Sequence, residues 1–266
     1  MPKINSAIDV LRLLDKSNCR ECGYPTCLAF AAAVFKGQKT LDKCAHLNQS
    51  IIDEYPFKNN CVPSERNISE PLEDLRKKLK NVDFEEAAER LGANYLNGRL
   101  TVKVCGKDFS VDKQGKFYSE IHIHSWITIP LLNYIIYGEG KEPVGEWISF
   151  RELKRALDWY NFFVHQCEKP LKKVADSYTD LFEDMLHIFY GKRVKNHYES
   201  DISIVLYPLP KVPILICYWR PEDGLESSLN LFFDKTASDN LNIESIYLLG
   251  VGFVTMFEKV ALRHGG

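Results

Sequence analysis

The chain has 266 residues, of which 45% are hydrophobic and 26% are charged, and its formal net charge is −2. A chain of this size can bury the core of one large domain, or of a small domain followed by a medium one. The 34 basic and 36 acidic side chains nearly cancel, so no basic excess exists to attract nucleic acid or an anionic membrane. We therefore expect no nucleic-acid partner.

The sequence contains no run of about 18 uninterrupted apolar residues, the length that a membrane-spanning helix needs. Its first residues, MPKINSAIDVLRLLDKSNC, lack the long apolar core and small-residue cleavage site of an export signal. We therefore expect a cytoplasmic protein without membrane insertion.

The first predicted element is a short amphipathic helix over residues 5–14. A loop containing cysteines follows, and Thr26 is the expected N-cap of an alanine-rich helix that ends at Gly37. After Cys44, one more helical turn is expected, up to Ile52.

Residues 55–71, YPFKNNCVPSERNISEP, have the composition of a linker because they contain three prolines and many polar side chains. This segment divides the chain into a small domain over 1–56, a linker over 57–80 and a larger domain over 81–266.

The larger domain mixes predicted helices and strands. Helices are expected over 83–91, 129–140, 150–167, 171–191 and 242–260, and Ser149 with Glu152 forms a capping box at the start of the third. Extended segments are expected over 99–105, 107–112, 117–126, 201–210 and 211–219, while 227–241 has no clear pattern. Because the order is mixed rather than alternating, the predicted fold class is α+β, with a small, mainly helical domain followed by a larger mixed one.

Four of the eight cysteines cluster with the spacing C-x2-C-x4-C-x16-C, at Cys19, Cys22, Cys27 and Cys44. A disulfide framework is disfavoured because such frameworks belong to small secreted chains with weak cores. Zinc sites usually have two tight cysteine pairs, and this set has one. Three close thiolates with a distant fourth suit an iron–sulfur cluster of the [4Fe–4S] type better than zinc or unligated buried thiols.

The residues around these cysteines also suit a cluster. Gly23 allows a positive φ or a close backbone approach, and Pro25 stiffens the loop. Cys27 begins a helix, whose N-terminal amides can offset the negative charge of sulfur. The alanines that follow are small enough for the helix to pack against an inorganic body.

The stretch NCRECGYPTCLAFA closely resembles the iron–sulfur module of the large subunit of the corrinoid iron–sulfur protein. The equivalent subunit of the methanogen acetyl-CoA decarbonylase/synthase complex has a similar module, as does the Rnf-type ferredoxin subunit. The resemblance covers about residues 5–52 and implies one [4Fe–4S] cluster on Cys19, Cys22, Cys27 and Cys44. Family members often have proline after the last cysteine, where this chain has Ala45.

The resemblance to the corrinoid protein is not expected to continue into the rest of the chain, which lacks the eight strand–helix units of a β/α barrel. That part instead resembles an uncharacterised domain that often follows this module in anaerobes. The stretches that carry this second resemblance are NYIIYGEG, GEWISFRELK, YPLPKVPILICYW and LFFDKTASDNL.

A second cofactor site is the other metal-related prediction. His122 and His124 stand two residues apart in an extended segment and would therefore face the same way. They could bind a metal or a corrinoid (cobalamin), with Trp126 beside them as a wall for a flat cofactor; alternatively they are polar surface or core residues. The isolated Cys61, Cys105, Cys167 and Cys217 are expected to be small buried hydrophobic residues.

These features predict an electron-transfer protein with a redox partner protein. The resemblance implies corrinoid-linked one-carbon metabolism in an anaerobe, with a cluster that reduces a corrinoid. The alternative is a partner-docking module whose cluster is structural or regulatory. No nucleotide-binding or hydrolase motif is present.

Overall fold

The computed structural model of the chain describes residues 6–35, 39–54, 69–120, 122–178, 180–195, 197–222 and 224–264. These residues form two compact units, one within Met1–Arg66 and the other within Asn67–Gly266.

The first unit is a small helical unit. It contains α1 (Ala7–Leu13), α2 (Cys27–Phe35), a 3₁₀ turn over Leu41–Lys43 and α3 (Gln49–Glu54). The predicted helices before and after the cysteine loop are therefore confirmed within the described residues. Helices α1 and α2 pack against each other, and two of the cysteines are part of the core, which consists of Val10, Leu14, Cys27, Phe30, Ala31, Val34, Leu41 and Cys44.

Part of the segment predicted to be a linker is helical. Its first part, with Cys61, lies outside the described residues, but most of the remainder is helix α4 (Ser69–Leu79). Leu75 and Leu79 are buried, and Arg76 Nε donates to the carbonyl of Gly115 at 3.3 Å. The polar composition of this segment therefore reflects the exposed side of a helix that belongs to the second unit and packs against the rest of it, since only one face of such a helix is apolar.

The second unit begins with a helix and a four-stranded antiparallel sheet. Helix α5 (Phe84–Leu91) is followed by strands in the spatial order β1 (Asn94–Leu96), β2 (Arg99–Val104), β3 (Lys107–Asp112) and β4 (Phe117–Ser119). The alternating residues Leu100 and Val102 are buried and pair with Val111 and Phe109. The prediction of two strands turning at Gly106 is confirmed. The third extended segment, predicted over 117–126, is a strand only in its first three residues.

A second antiparallel sheet forms the centre of this unit. Its spatial order is β5 (Trp147–Ser149), β9 (Ser228–Asp234), β8 (Val212–Trp219), β7 (Ile202–Leu209) and β6 (Lys192–Arg193). The predicted strand pair is confirmed, with Leu209 opposite Val212 at its turn. All but the last residue of β8 are buried, which explains why its sequence is a continuous apolar run rather than an alternating one.

Six further helices complete the described part of the second unit. They are α6 (Ser125–Tyr137), α7 (Tyr160–Phe163), α8 (Lys169–Ser177), α9 (Leu181–His187), α10 (Ala237–Asn240) and α11 (Ile243–His264). A π-helical segment, Val164–Glu168, joins α7 to α8. Pro170 has no amide hydrogen to donate to the carbonyl of Gln166, which interrupts the α-helical ladder at this point.

Two predicted helices have wrong limits. The capping box of Ser149 and Glu152 is present, but it closes only a 3₁₀ turn, and the chain then turns at Arg155 with φ +62°. The helix predicted over 171–191 is broken at Tyr178, which is buried and donates through its hydroxyl to Asp184 at 2.8 Å. Tertiary packing overrides helical periodicity at both places.

The fold class is α+β, as predicted, because two antiparallel sheets combine with helices from separate chain segments. Within the described residues, Ile243–Leu262 is long and apolar enough to cross a membrane by length and composition. However, 61% of its most apolar window is buried inside the protein, and a core helix passes the same test.

Candidate metal centre

The four clustered cysteines lie before, at the start of and after helix α2 in the chain. Cys19 and Cys22 belong to the loop between α1 and α2, Cys27 is the first residue of α2, and Cys44 follows the 3₁₀ turn. Cys19 is exposed and Cys22 half-buried, whereas Cys27 and Cys44 are 7% and 8% exposed. The thiols therefore extend from the core of the small unit to its surface.

Backbone geometry in the loop explains how the cysteines are presented. Lys16, Asn18, Arg20 and Gly23 all have positive φ, between +54° and +82°. A Cβ on Gly23 would meet no atom within 4 Å, so its positive φ, rather than lack of space, is what favours glycine there. Alternating left-handed residues turn successive amides toward one side, an arrangement that occurs at anion and iron–sulfur sites.

Two backbone amides interact with the cysteine sulfurs. The amide of Asn18 donates to Cys27 Sγ at 3.3 Å, and the amide of His46 donates to Cys44 and lowers its pKa. Burial has the larger effect and raises the pKa of Cys44, with further increases from the negative charges of Asp15, Cys22 and Cys27. The raised pKa favours the protonated thiol of Cys44, so binding of a metal group at this residue would release its proton.

The four sulfurs are not gathered as closely as they would be around a single metal ion. In a tetrahedral zinc site with Zn–S bonds of about 2.3 Å, the sulfurs lie about 3.8 Å apart. No three of these four sulfurs all lie within 4.8 Å of one another in the described residues. A cluster with several irons needs more widely spaced ligands than one ion, and soft thiolates suit it. The donor set of the first unit therefore fits an iron–sulfur cluster.

The helix that carries Cys27 has the cap predicted for it. Thr26 Oγ1 accepts a hydrogen bond from the amide of Ala29 at 3.1 Å. The side chain of Asn18 adds a second cap, since its Oδ1 accepts from the Cys27 amide at 2.7 Å. Asn18 precedes the first cysteine in the motif, but its sequence position alone did not reveal this role.

Sequence reasoning also missed a polar group beside Cys19. Cys19, Glu21 and His46 bring three potential ligand atoms within 4.8 Å of one another, and all three residues are exposed. His46 Nε2 lies 3.6 Å from Glu21 and its Nδ1 lies 3.8 Å from Asp15. The only signal in the sequence was the position of His46, two residues after the last cysteine of the motif.

The second predicted site is only partly assembled. The rings of His122 and His124 lie 4.3 Å apart at the start of α6, so the two imidazoles do come together. Trp126, in contrast, is buried, and its ring covers Gly252 and contacts Phe253. The Trp126 ring also stacks on the His124 imidazole, with centroids 6.1 Å apart, so it packs between the predicted site and the core, and its role as the wall of a cofactor site stays a prediction.

The remaining predictions about cysteines concern single thiols. Cys105, Cys167 and Cys217 are buried, as expected, and Cys61 lies outside the described residues. Burial raises the pKa of Cys105 to about 12. These thiols behave as small hydrophobic side chains rather than as nucleophiles or ligands.

Several of the stretches that resemble the uncharacterised domain meet around Lys211. Its Nζ donates to the carbonyls of Arg90 and Gly140 at 2.8 and 2.9 Å. Asn240 Nδ2 donates to the carbonyls of Lys141 and Lys211, each at 2.8 Å. No buried side-chain nitrogen or oxygen in the described residues lacks a hydrogen-bond partner, so these stretches stabilise the fold and leave no buried polar atom free for a ligand.

Two protein families match the two parts of the chain. The family described as "Putative Fe-S cluster" matches residues 14–46. The family described as a domain of unknown function, DUF3786, matches residues 83–256. No solved structure matches the chain significantly.

Three curated relatives share the cysteine motif region or more. The acetyl-CoA decarbonylase/synthase complex subunit gamma of Methanocaldococcus jannaschii is 50% identical over 48 residues, 18% of this chain and 10% of that protein. The corrinoid/iron-sulfur protein large subunit of Moorella thermoacetica is 40% identical over 45 residues, 17% of this chain and 10% of that protein. The gamma subunit of Methanothermobacter thermautotrophicus is 34% identical over 215 residues, 78% of this chain and 44% of that protein.

The chain thus spans a tenth of the length of two relatives and less than half of the third. Two of the matches have about the length predicted for the resemblance, residues 5–52, while the third extends over most of the chain. Together, the motif region and the two-sheet unit define an iron–sulfur protein of α+β architecture. The chain belongs to the DUF3786 family, with an iron–sulfur domain at its N-terminal side.

Proposed function

We propose that the first unit holds one [4Fe–4S] cluster on Cys19, Cys22, Cys27 and Cys44, and that the protein transfers single electrons. The observation that carries this proposal is the placement of the four thiols, two in the core of a small unit and two in the loop before α2. When bound, such a cluster supplies reversible one-electron chemistry. The protein's own residues hold it, donate amides to sulfur and control its exposure.

Electrons would enter and leave on the side of Cys19 and Cys22. The loop between α1 and α2 is the exposed side of the candidate centre, while Cys27 and Cys44 face the core. A redox partner protein could approach closest at this loop. The relatives named as subunits of the acetyl-CoA decarbonylase/synthase complex support a role together with partner proteins.

The metabolic setting that we propose is corrinoid-linked one-carbon metabolism in an anaerobe. Its support is the similarity to a relative named corrinoid/iron-sulfur protein and to the decarbonylase/synthase subunits. We further propose that the second unit binds a corrinoid that the cluster reduces, with His122 as the ligand. His122 is exposed at the start of α6 and has the imidazole of His124 beside it.

We also propose a cytoplasmic location. The seven described cysteines form no disulfide, which is the usual state of cysteines in a reducing compartment. An exposed thiol such as that of Cys19 would be at risk of oxidation elsewhere.

The first experiment tests the cluster. The protein is purified anaerobically, and iron, sulfide and visible absorbance are measured, with an expected content of about four irons and four sulfides per chain. Broad absorbance that bleaches with dithionite supports electron transfer. Cys22→Ala should lose the cluster, whereas the matched control Cys105→Ala should keep it, since Cys105 is a buried thiol of the other unit. One zinc per chain without colour would refute the proposal, and a cluster that dithionite does not reduce would favour the docking alternative.

The second experiment tests the corrinoid. Cobalt is measured in the purified protein, and the protein is titrated with aquocobalamin under anaerobic conditions. His122→Ala should weaken binding, whereas His187→Ala should not, because the side chain of His187 is 80% exposed and lies beside Glu183 on another helix, α9. Equal or absent binding in all three proteins would refute corrinoid binding through His122 and leave the cluster proposal intact.

A further inference from the structure

We infer that Asn18 is a positioning residue for the cluster: it fixes Cys27 in place and raises the reduction potential through its own backbone amide. This inference rests on the proposed [4Fe–4S] cluster. Asn18 is not a ligand and would act only through Cys27.

Asn18 and Cys27 are joined by two hydrogen bonds that run in opposite directions. The Asn18 amide donates to Cys27 Sγ at 3.3 Å, and the Cys27 amide donates to Asn18 Oδ1 at 2.7 Å. The two residues are nine positions apart in the sequence, so this pair ties the exposed loop to the first residue of α2. Because both bonds depend on one residue, removal of the side chain should also loosen the bond to sulfur.

The backbone at Asn18 explains why asparagine suits this position. Its φ is +54°, a left-handed conformation that asparagine and glycine adopt more easily than other residues. Alanine there would lose the side-chain acceptor and would also disfavour the backbone conformation that directs the amide toward Cys27. Glycine would lose only the acceptor, and aspartate would keep both.

The effect on the potential follows from charge. An amide hydrogen carries a partial positive charge and therefore stabilises the more negative, reduced state of a cluster more than the oxidised state. A weaker amide–sulfur bond should therefore lower the reduction potential. An independent change at the same helix provides the control, because Thr26 caps α2 by accepting from the amide of Ala29, whereas Asn18 bonds to Cys27 itself.

The test compares full-length wild type, Asn18→Ala, Asn18→Gly, Asn18→Asp and Thr26→Ala, all purified anaerobically. Iron and sulfide contents are measured first. The reduction potential is then determined by titration followed with electron paramagnetic resonance, and iron release to a chelator is timed.

We expect Asn18→Ala to shift the ratio of oxidised to reduced cluster about tenfold toward oxidised at a given potential, which for a one-electron couple is about 59 mV. Iron release should become about fivefold faster in Asn18→Ala and Asn18→Gly, as expected for the loss of one cap. Asn18→Asp should release iron at nearly the wild-type rate because it keeps the acceptor. Thr26→Ala should leave the potential unchanged.

Several results would overturn the inference. One is a set of Asn18 variants with full iron content, wild-type potential and wild-type iron release. Another is Thr26→Ala with the same potential shift as Asn18→Ala, since the effect would then belong to the helix. If Asn18→Ala loses its iron, the potential and the iron release of Asn18→Gly are used instead. Wild-type iron release in Asn18→Gly would contradict the role of Asn18 Oδ1. A wild type without iron and sulfide would overturn both the inference and the proposed cluster.

Discussion

Replacing Gly252 by alanine tests whether Trp126 is a core residue or part of a cofactor site. Gly252 lies within α11, and an ideal Cβ there would lie 2.2 to 2.4 Å from three atoms of the Trp126 ring. Carbon atoms pack best at about 3.5 to 4.0 Å, so the ring would have to move by more than about 1 Å. Trp126 is only 9% exposed, and its ring contacts His124 and Phe253, which leaves little room for that movement.

Two opposing effects determine the magnitude. In an exposed helix, glycine to alanine gains about 1 kcal/mol of helix propensity. Overpacking of a filled core costs about 2 to 3 kcal/mol, so the net expectation for Gly252→Ala is a loss of about 1 to 2 kcal/mol. For a domain of this length, that loss corresponds to a decrease in Tm of about 2 to 8 °C.

The assay is thermal unfolding of the wild type and the variants, followed by circular dichroism. Gly250→Ala is the matched control in the same helix, because its Cβ would lie 2.9 Å from Phe163 and 3.1 Å from Cys167, a milder overlap. Its Tm should fall less than that of Gly252→Ala, and Trp126→Leu should relieve the loss in the double variant. An unchanged or raised Tm for Gly252→Ala would refute the packing of Trp126 on α11. The hypothesis that the Trp126 ring forms the wall of a cofactor site would then be favoured.

Three further predictions concern buried groups of the second unit. Burial raises the pKa of Glu168. The stabilising contribution of this residue is therefore full below the ordinary pKa near 4.5 and is lost as the pH rises through the raised pKa. Glu168→Gln should flatten this decline in Tm with pH, and a variant with the wild-type pH profile would contradict the argument. Lys211→Met leaves two carbonyls without a donor and should cost about 2 to 4 kcal/mol in urea unfolding, whereas a loss below about 1 kcal/mol would show that water replaces the ammonium. Burial raises the pKa of Cys105 to about 12, so only about one Cys105 thiol in ten thousand is ionised at pH 8. Mass spectrometry after iodoacetamide treatment should therefore find Cys105 unmodified in the native protein and modified in urea. Rapid labelling of the native protein would contradict the burial of Cys105.

The parts of the chain that sequence patterns predicted well are those with local causes. Alternation over 99–112 and the glycine between two strands predicted a hairpin that depends on neighbouring residues alone. Thr26 as a helix cap was equally local and is confirmed by its bond to Ala29. The predictions failed where burial of a side chain determined the backbone conformation. At Tyr178, burial of the ring in the core ends a helix that the periodicity of the sequence would continue.

The candidate centre shows the same division. The spacing of Cys19, Cys22, Cys27 and Cys44 indicated a set of iron–sulfur ligands, because the number of cysteines and the residues between them can be counted in the sequence. The contact between Asn18 and Cys27 and the group around His46 depend on how the loop folds back onto α2. Residue type alone could not separate Asn18 from any other polar loop residue.

From local spacing, composition and periodicity alone, the amino-acid sequence predicted the α+β class, which the structure confirms, and it nominated the four cysteines as a ligand set and proposed a division of the chain into two parts. The burial of Cys27 and Cys44, the amide that reaches Cys27 Sγ and the packing of Trp126 against Gly252 became visible only in the folded chain. The physical reason is that burial and hydrogen bonding between distant segments depend on the packing of the whole chain. No short stretch of residues contains that information.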